Sequence, residues 1–340
     1  MRQSGESFYE AQVPERTTKQ EGLRVGNVIV IAQRNGEVLN RRKRLFLDQS
    51  YQVRETPHFV ICQRPLSHQI VLMHRFDRTE INADLIRMIG EELPAFGILS
   101  SAREFNAMLF AVIASTFPSP RNQTMIWRHF CLNTLARLRV LISQPLEQSP
   151  PTVSHIVPFA EIYRRVLELF VGQNMLDVGS SFGFLPLLMA ELIHDVDIIG
   201  CDNNPEAIRC SAGLATATNA HRVSFSLRDV LSPDILDMGH FDTVTALHLL
   251  EHLPEQDMPI AFTHLLQVTS KRLIVAVPFE EKAQALYGHQ QVFTLEKLRA
   301  WGEWCTDALG SDGHYWCEEV MGGMLIVDRL KRSELHHALS

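Results

Sequence analysis

The chain has 340 residues, of which 46% are hydrophobic, enough for about two domains with buried cores. A net charge of −7 argues against a general nucleic-acid binder, whose surface would be dominated by lysine and arginine. Six cysteines, at 62, 131, 201, 210, 305 and 317, form no Cys-x-x-Cys pair, so neither a zinc knuckle nor a disulfide framework is indicated.

The first 20 residues are polar and mixed in charge, with no apolar signal core, and read as a disordered leader. No run of about 18 apolar residues occurs anywhere, and a soluble cytoplasmic protein is expected. LRVGNVIVIAQ and GEVLNRRKRLFL read as two strands of a hairpin joined at Asn35-Gly36, a dipeptide that supplies the positive φ of a tight turn. The basic run Arg41-Arg42-Lys43-Arg44 then falls at a solvated strand end. YQVRETPHFVICQ and HQIVLMHRF are further strand candidates, with Cys62 a small core residue. From Asn82 the period becomes helical, with Leu85, Ile86, Ile89 and Leu93 on one face, and helices follow over 103–115 and 121–142. Residues 21–143 thus read as a small α+β N-terminal domain, strands first and helices after. SQPLEQSPPTVS has three prolines, three serines and no periodicity, so 144–155 is the linker.

Beyond it, over 156–332 and ahead of a short tail at 333–340, helix and strand alternate. A helix at 158–171 is followed by strand NMLDVG, helix 184–193, strand VDIIGCD, helix 205–217 and strand RVSFSLRD. HFDTVTALHLL, helix 258–269, strand RLIVAVP and helix 294–304 come next, and a hairpin around Met321-Gly322-Gly323 closes the series. Uniformly apolar strands alternating with helices predict a parallel sheet covered on both faces.

Ligands of such sheets bind at the carboxyl ends of the strands. The first strand ends at Asp177 and runs into Gly179-Ser180-Ser181-Phe182-Gly183, small residues that let backbone approach a ligand, ahead of a helix with free N–H groups. A packing turn is the alternative. The second strand ends at Asp202, 25 residues later, where an acid can accept both hydroxyls of a ribose. Asn203 beside it is a neutral alternative, and Asn203 or Asn204 before Pro205 would also cap the next helix. The third strand ends at Arg228-Asp229, where Asp229 meets an adenine amino group or caps a loop. The loop fits neither Gly-x-Gly-x-x-Gly nor a P-loop and carries no cation for a phosphate, which points to a cofactor with ribose and adenine alone.

MLDVGSSFGF, IIGCDNN, SLRDV, FDTVTALHLLEHL and LIVAVP, in this order and followed by the hairpin, resemble the motifs of class I S-adenosylmethionine-dependent methyltransferases. The resemblance covers about 160–330. It implies an α/β fold, a Rossmann-like seven-stranded sheet with an antiparallel last strand, and S-adenosyl-L-methionine as cofactor. Asp177, Gly179 and Gly183 should line its methionine end, with Ser181 replacing a glycine of the pattern; Asp202 should bind the ribose, Asp229 should lie near the adenine, and His248 nearby.

On the acceptor side, Leu247 to Leu253 places Glu251 and His252 where the fourth strand runs out over the cofactor. They suit a base or a metal ligand, or a purely structural turn, and no metal site is assigned. Gly288 to Thr294 puts His289 in a loop over the acceptor, where a neutral imidazole can take a hydroxyl proton; Thr294 should cap the next helix. Tyr287 and His248 are further acceptor-side candidates, and Tyr163 could cover the cofactor. The segments DVGSSFGFLPLL, TVTALHLLEHL and VAVPFE with the downstream Tyr-Gly-His resemble the mycofactocin oligosaccharide methyltransferase group, which implies O-methylation of a sugar hydroxyl. The expectation is an enzyme acting on a small molecule or glycan, without nucleic acid or membrane insertion. The alternatives are a protein or RNA methyltransferase, or a non-catalytic protein that kept the fold.

Overall fold

The computed structural model describes residues 15–16, 22–33, 36–48, 51–65, 68–118, 122–144 and 154–329. They fall into two compact units, one within Met1–Arg137 and Pro150–Ile156, the other within Leu138–Ser149 and Val157–Ser340. Most of the residues read as leader, linker and tail lie outside the described ones.

The first unit begins with β1 (Glu15–Arg16), β2 (Leu23–Val25), β3 (Val28–Ala32) and α1 (Gly36–Asp48). Strands β4 (Gln52–Glu55), β5 (Phe59–Gln63) and β6 (Ile70–His74) follow, then α2 (Asp84–Glu92), α3 (Ala102–Ser115) and α4 (Gln123–Ser143). The sheet order is β1-β2-β3-β6-β5-β4, with β3 and β6 parallel and every other neighbour antiparallel. VIVIA, FVICQ and IVLMH, almost entirely buried, form its centre.

The hairpin expected at Asn35-Gly36 is a misreading, for Gly36 opens α1. Leu39 and Phe46, seven residues apart and therefore on one helical face, are its buried side chains. They pack with Ile29, Ile31, Val60, Cys62, Val71 and Met73 of the sheet. The basic run accordingly sits on α1 and not on a strand end. The tight turn lies earlier, at Gly26-Asn27 between the paired Val25 and Val28, where Gly26 has φ 55°. Nor is the order strands-then-helices: α1 is inserted between β3 and β4 and covers one face, while α3 packs on β2 and β3.

The second unit runs α5 (Ile156–Leu169), β7 (Asn174–Val178), α6 (Phe184–Leu192), β8 (Asp197–Asp202), α7 (Pro205–Thr218) and β9 (Val223–Leu227). It continues with β10 (Phe241–Leu247), α8 (Met258–Val268), β11 (Thr269–Val277), α9 (Leu295–Leu309), β12 (Gly313–Glu319) and β13 (Gly323–Arg329). The seven strands are ordered β12-β13-β11-β10-β7-β8-β9. Strands β7 to β11 are mutually parallel, and β13 is antiparallel to both its neighbours. Leu176, Val178, Val244, Ala246, Val275, Leu325 and Val327 pack with Phe262 and Leu265 of α8 in one buried core. Arg272 pins β13 through Asp328 at 2.6 and 2.7 Å, while Arg165 of α5 holds Glu318 of β12 at 2.7 and 2.6 Å.

Strand order reverses between β7 and β10. The crevice at their carboxyl ends is where an open α/β sheet binds its ligands. Among the described residues no helix is long and apolar enough to cross a membrane.

Candidate active site

The loop after β7 is shaped by three residues with positive φ: Gly179 at 76°, Ser181 at 48° and Gly183 at 75°. Both glycines are packed from behind. A Cβ on Gly183 would lie 2.4 Å from the Phe225 ring of β9, and one on Gly179 would lie 2.9 Å from Leu249. Ser181 adopts the conformation a glycine would favour, held there because its N–H donates to Asp202 Oδ2 at 2.9 Å. The other Asp202 oxygen accepts the Asn204 N–H, also at 2.9 Å, so one carboxylate ties two loops together. Asn204, not Asn203, caps α7, its side chain accepting from Glu206 and Ala207 N–H, and Asn203 is exposed.

Several amides of the loop itself, as distinct from those of the following helix, are taken up within the fold. Gly179 and Ser180 N–H donate to the Cys201 carbonyl at 2.8 Å, and Gly183 N–H donates to the Ser180 carbonyl at 2.8 Å. Asp177 is buried in β7 and accepts the Thr245 hydroxyl of β10 at 2.6 Å. Burial pushes its carboxyl up to about 7 against that hydrogen bond, with the Asp202 charge adding to the rise. Burial likewise raises the Asp202 carboxyl, opposed by the two backbone N–H bonds and by the nearby His252. Asp229, just past β9, accepts Leu231 N–H at 3.0 Å as a loop cap. Tyr163 of α5 is buried beside Asp177, its phenol pKa raised mainly by burial.

A second group stands where β10 ends. His248 is held at φ 50° by its N–H bond to the Ala276 carbonyl, with its ring 4.8 Å from Phe159. Its Nδ1 lies 3.1 Å from Oε1 of Glu251, which is only 1% exposed. Burial alone would raise the Glu251 carboxyl, but the His248 hydrogen bond and the charges of His248 and His252 carry it below the usual carboxylate range. His252 Nδ1 lies 3.3 Å from the Gly288 carbonyl, and burial lowers its pKa against the Glu251 charge, which favours a neutral ring. His289 Nδ1 lies 2.9 Å from Glu280, and its ring centroid stands 4.9 Å from that of His252 and 6.1 Å from that of Tyr287.

The acceptor-side candidates Glu251, His252 and His289 are therefore one cluster, and His252 is near enough to Asp202 for its charge to act on that carboxyl. Three pairings in this geometry are not signalled by the motifs that contain the residues. Thr245 reaches Asp177 only across strands. Glu280 orients His289 from the end of VAVPFE. Gln291, 7% exposed, donates to the Leu250 and Leu253 carbonyls at 2.9 and 2.7 Å while its oxygen accepts from Lys297 at 2.9 Å. Thr294 caps α9 by accepting Lys297 N–H, as expected.

Residues 175–272 match the methyltransferase domain family. Ajmaline N-methyltransferase of Rauvolfia serpentina is 36% identical over 86 residues, which is 25% of this chain and 29% of that enzyme. Among solved structures, the methyltransferase domain of bacterial CtHen1 covers 50% of this chain and 98% of its own at 14% identity, with a TM-score of 0.44. Magnesium protoporphyrin IX methyltransferase from Synechocystis PCC 6803 covers 61% and 97% at 16% identity, with a TM-score of 0.42. The match falls within the second unit, on its Rossmann-like sheet, and a methyltransferase domain implies S-adenosylmethionine as cofactor.

The residues present fit that cofactor. The loop carries no cation for a phosphate, and each Asp202 oxygen keeps a second lone pair for a ribose hydroxyl. Ser180 Oγ and His248 Nε2 are buried polar atoms without a hydrogen-bond partner at the carboxyl ends of β7 and β10.

Proposed function

We propose that this protein transfers a methyl group from S-adenosylmethionine to a hydroxyl oxygen of a small molecule or glycan, a mycofactocin-type oligosaccharide being the acceptor that the sequence resemblance implies. The observation that carries this reading is the Glu251, His252 and His289 cluster beside Asp202. Alcohol oxygens are poor nucleophiles and need polarisation, unlike amines that enter as free bases.

When bound, the cofactor supplies a methyl group on a positively charged sulfur. The chain's own residues hold and orient. Asp202 accepts the ribose hydroxyls, and Asp229 stands at the adenine end. Asp177, with Gly179, Ser181 and Gly183, shapes the methionine end, His248 bridges to the acceptor side, and Asn203 borders the ribose. With Nδ1 donating to Glu280, His289 offers an Nε2 lone pair to the acceptor hydroxyl. Methyl transfer is an in-line displacement, so holding oxygen, carbon and sulfur in line supplies much of the acceleration.

The test is labelled-methyl transfer to fractionated host extract. Label in a glycan or small-molecule fraction is expected; label only in protein or RNA would overturn the acceptor class. Asp202→Ala should weaken cofactor binding by about 1–3 kcal/mol, the loss of charge-assisted hydrogen bonds. His289→Ala should lower turnover strongly with cofactor affinity nearly unchanged. Equal turnover in His289→Ala would remove His289 from the acceptor site.

A further inference from the structure

We propose that Glu251, His252 and His289 form a site for a divalent transition-metal ion that holds the acceptor oxygen beside the cofactor. The inference rests on the methyltransferase reading and deepens it.

One ligand atom from each of the three residues lies within 4.8 Å of the other two. A four-coordinate ion with ~2.1 Å bonds needs ligand atoms about 3.4 Å apart, a spacing that small rotations of two imidazoles reach. Each candidate ligand is already held by an outer partner, the arrangement that sets tautomer and direction in metal sites. His289 Nδ1 meets Glu280 at 2.9 Å and His252 Nδ1 meets the Gly288 carbonyl at 3.3 Å. With the protons on Nδ1, both rings present an Nε2 lone pair. Glu251 Oε1 is taken by His248 at 3.1 Å, while Oε2 is buried with no hydrogen-bond partner, in a side chain 1% exposed. An unpartnered carboxylate oxygen that deep is costly unless something positive meets it.

Two imidazoles and one carboxylate suit zinc, which is borderline, and are open to the harder manganese as well, and they leave open positions for water or substrate oxygen. An acceptor with neighbouring hydroxyls can bind by two oxygens at once. That would orient one of them and lower its pKa, so that the ion, which takes the His289 Nε2 lone pair, activates the hydroxyl in place of that ring and the proton leaves to water.

Manganese binding to the full chain is measured by calorimetry and by the loss of the free-ion magnetic resonance signal, with zinc as a second probe. About one ion per chain is expected, with affinity at least tenfold weaker in Glu251→Gln and His289→Gln. Each variant is shown folded by circular dichroism and by retained S-adenosylmethionine binding. Chelation of the wild-type protein should abolish methyl transfer, and added manganese should restore it. If the folded wild type binds neither ion, or if Glu251→Gln binds as well as wild type, the metal site is overturned. Transfer that persists in chelator also overturns it while leaving the methyltransferase reading intact. Metal binding without any cofactor binding or transfer would sink that reading instead.

Discussion

Asp177 shows how one buried carboxylate makes stability depend on pH. Its pKa rises from 3.8 in the unfolded chain to about 7 in the fold, chiefly through burial. The native state therefore keeps a proton that the unfolded state has released. Stability falls as pH rises between those two values, by up to about 1.4 kcal/mol per unit, and the loss is complete above pH 7. Asp177→Asn keeps an acceptor for Thr245 and never ionises, so its denaturation midpoint should exceed that of wild type at pH 8 and match it near pH 4. Parallel midpoints across this range would mean that Asp177 ionises freely in the fold. Ser181 teaches a different lesson at the same scale. The residue that breaks the glycine pattern is still left-handed, and its N–H reaches Asp202. The pattern there records a backbone conformation and not a need for space.

The acceptor side depends on two loops made into one piece. Gln291 spans from the segment that carries His289 to both carbonyls flanking Glu251-His252. Gln291→Leu would strand the Leu253 carbonyl at about 1–3 kcal/mol, while the Leu250 carbonyl keeps its bond from Leu253 N–H. We expect it to lower stability by roughly 1–3 kcal/mol in urea denaturation and to reduce turnover more than cofactor affinity; an unchanged urea midpoint would show that the amide holds nothing. This tie was invisible in the sequence, as was Thr245 with Asp177, since each joins strands or loops distant along the chain; Glu280 and His289 stand close in sequence, but no local pattern records the loop that brings them together. The parallel sheet was legible because strands buried on both faces, such as LIVAV, must be apolar throughout. Asn35-Gly36 misled because a turn dipeptide is a local signal. The seven-residue spacing of Leu39 and Phe46, read over the whole segment, is the helical one.

At the scale of the molecule, a cofactor that binds only the folded second unit must stabilise it by mass action. S-adenosylmethionine at one hundred times its Kd adds about 2.7 kcal/mol, which raises the thermal midpoint of the transition that includes this unit by roughly 5–10 °C. A midpoint that did not move with cofactor concentration would contradict cofactor binding. The sheet has a further consequence, for the order in which the protein is made. β13, the last described strand, lies inside the sheet between β11 and β12. While a ribosome is still making Gly323–Arg329, the apolar edge of β11 has no partner and can pair with another chain. The unit therefore closes only once Gly323–Arg329 is made, and a break between Val277 and Gly323 leaves the parallel strands of the crevice beside an open, sticky edge of β11.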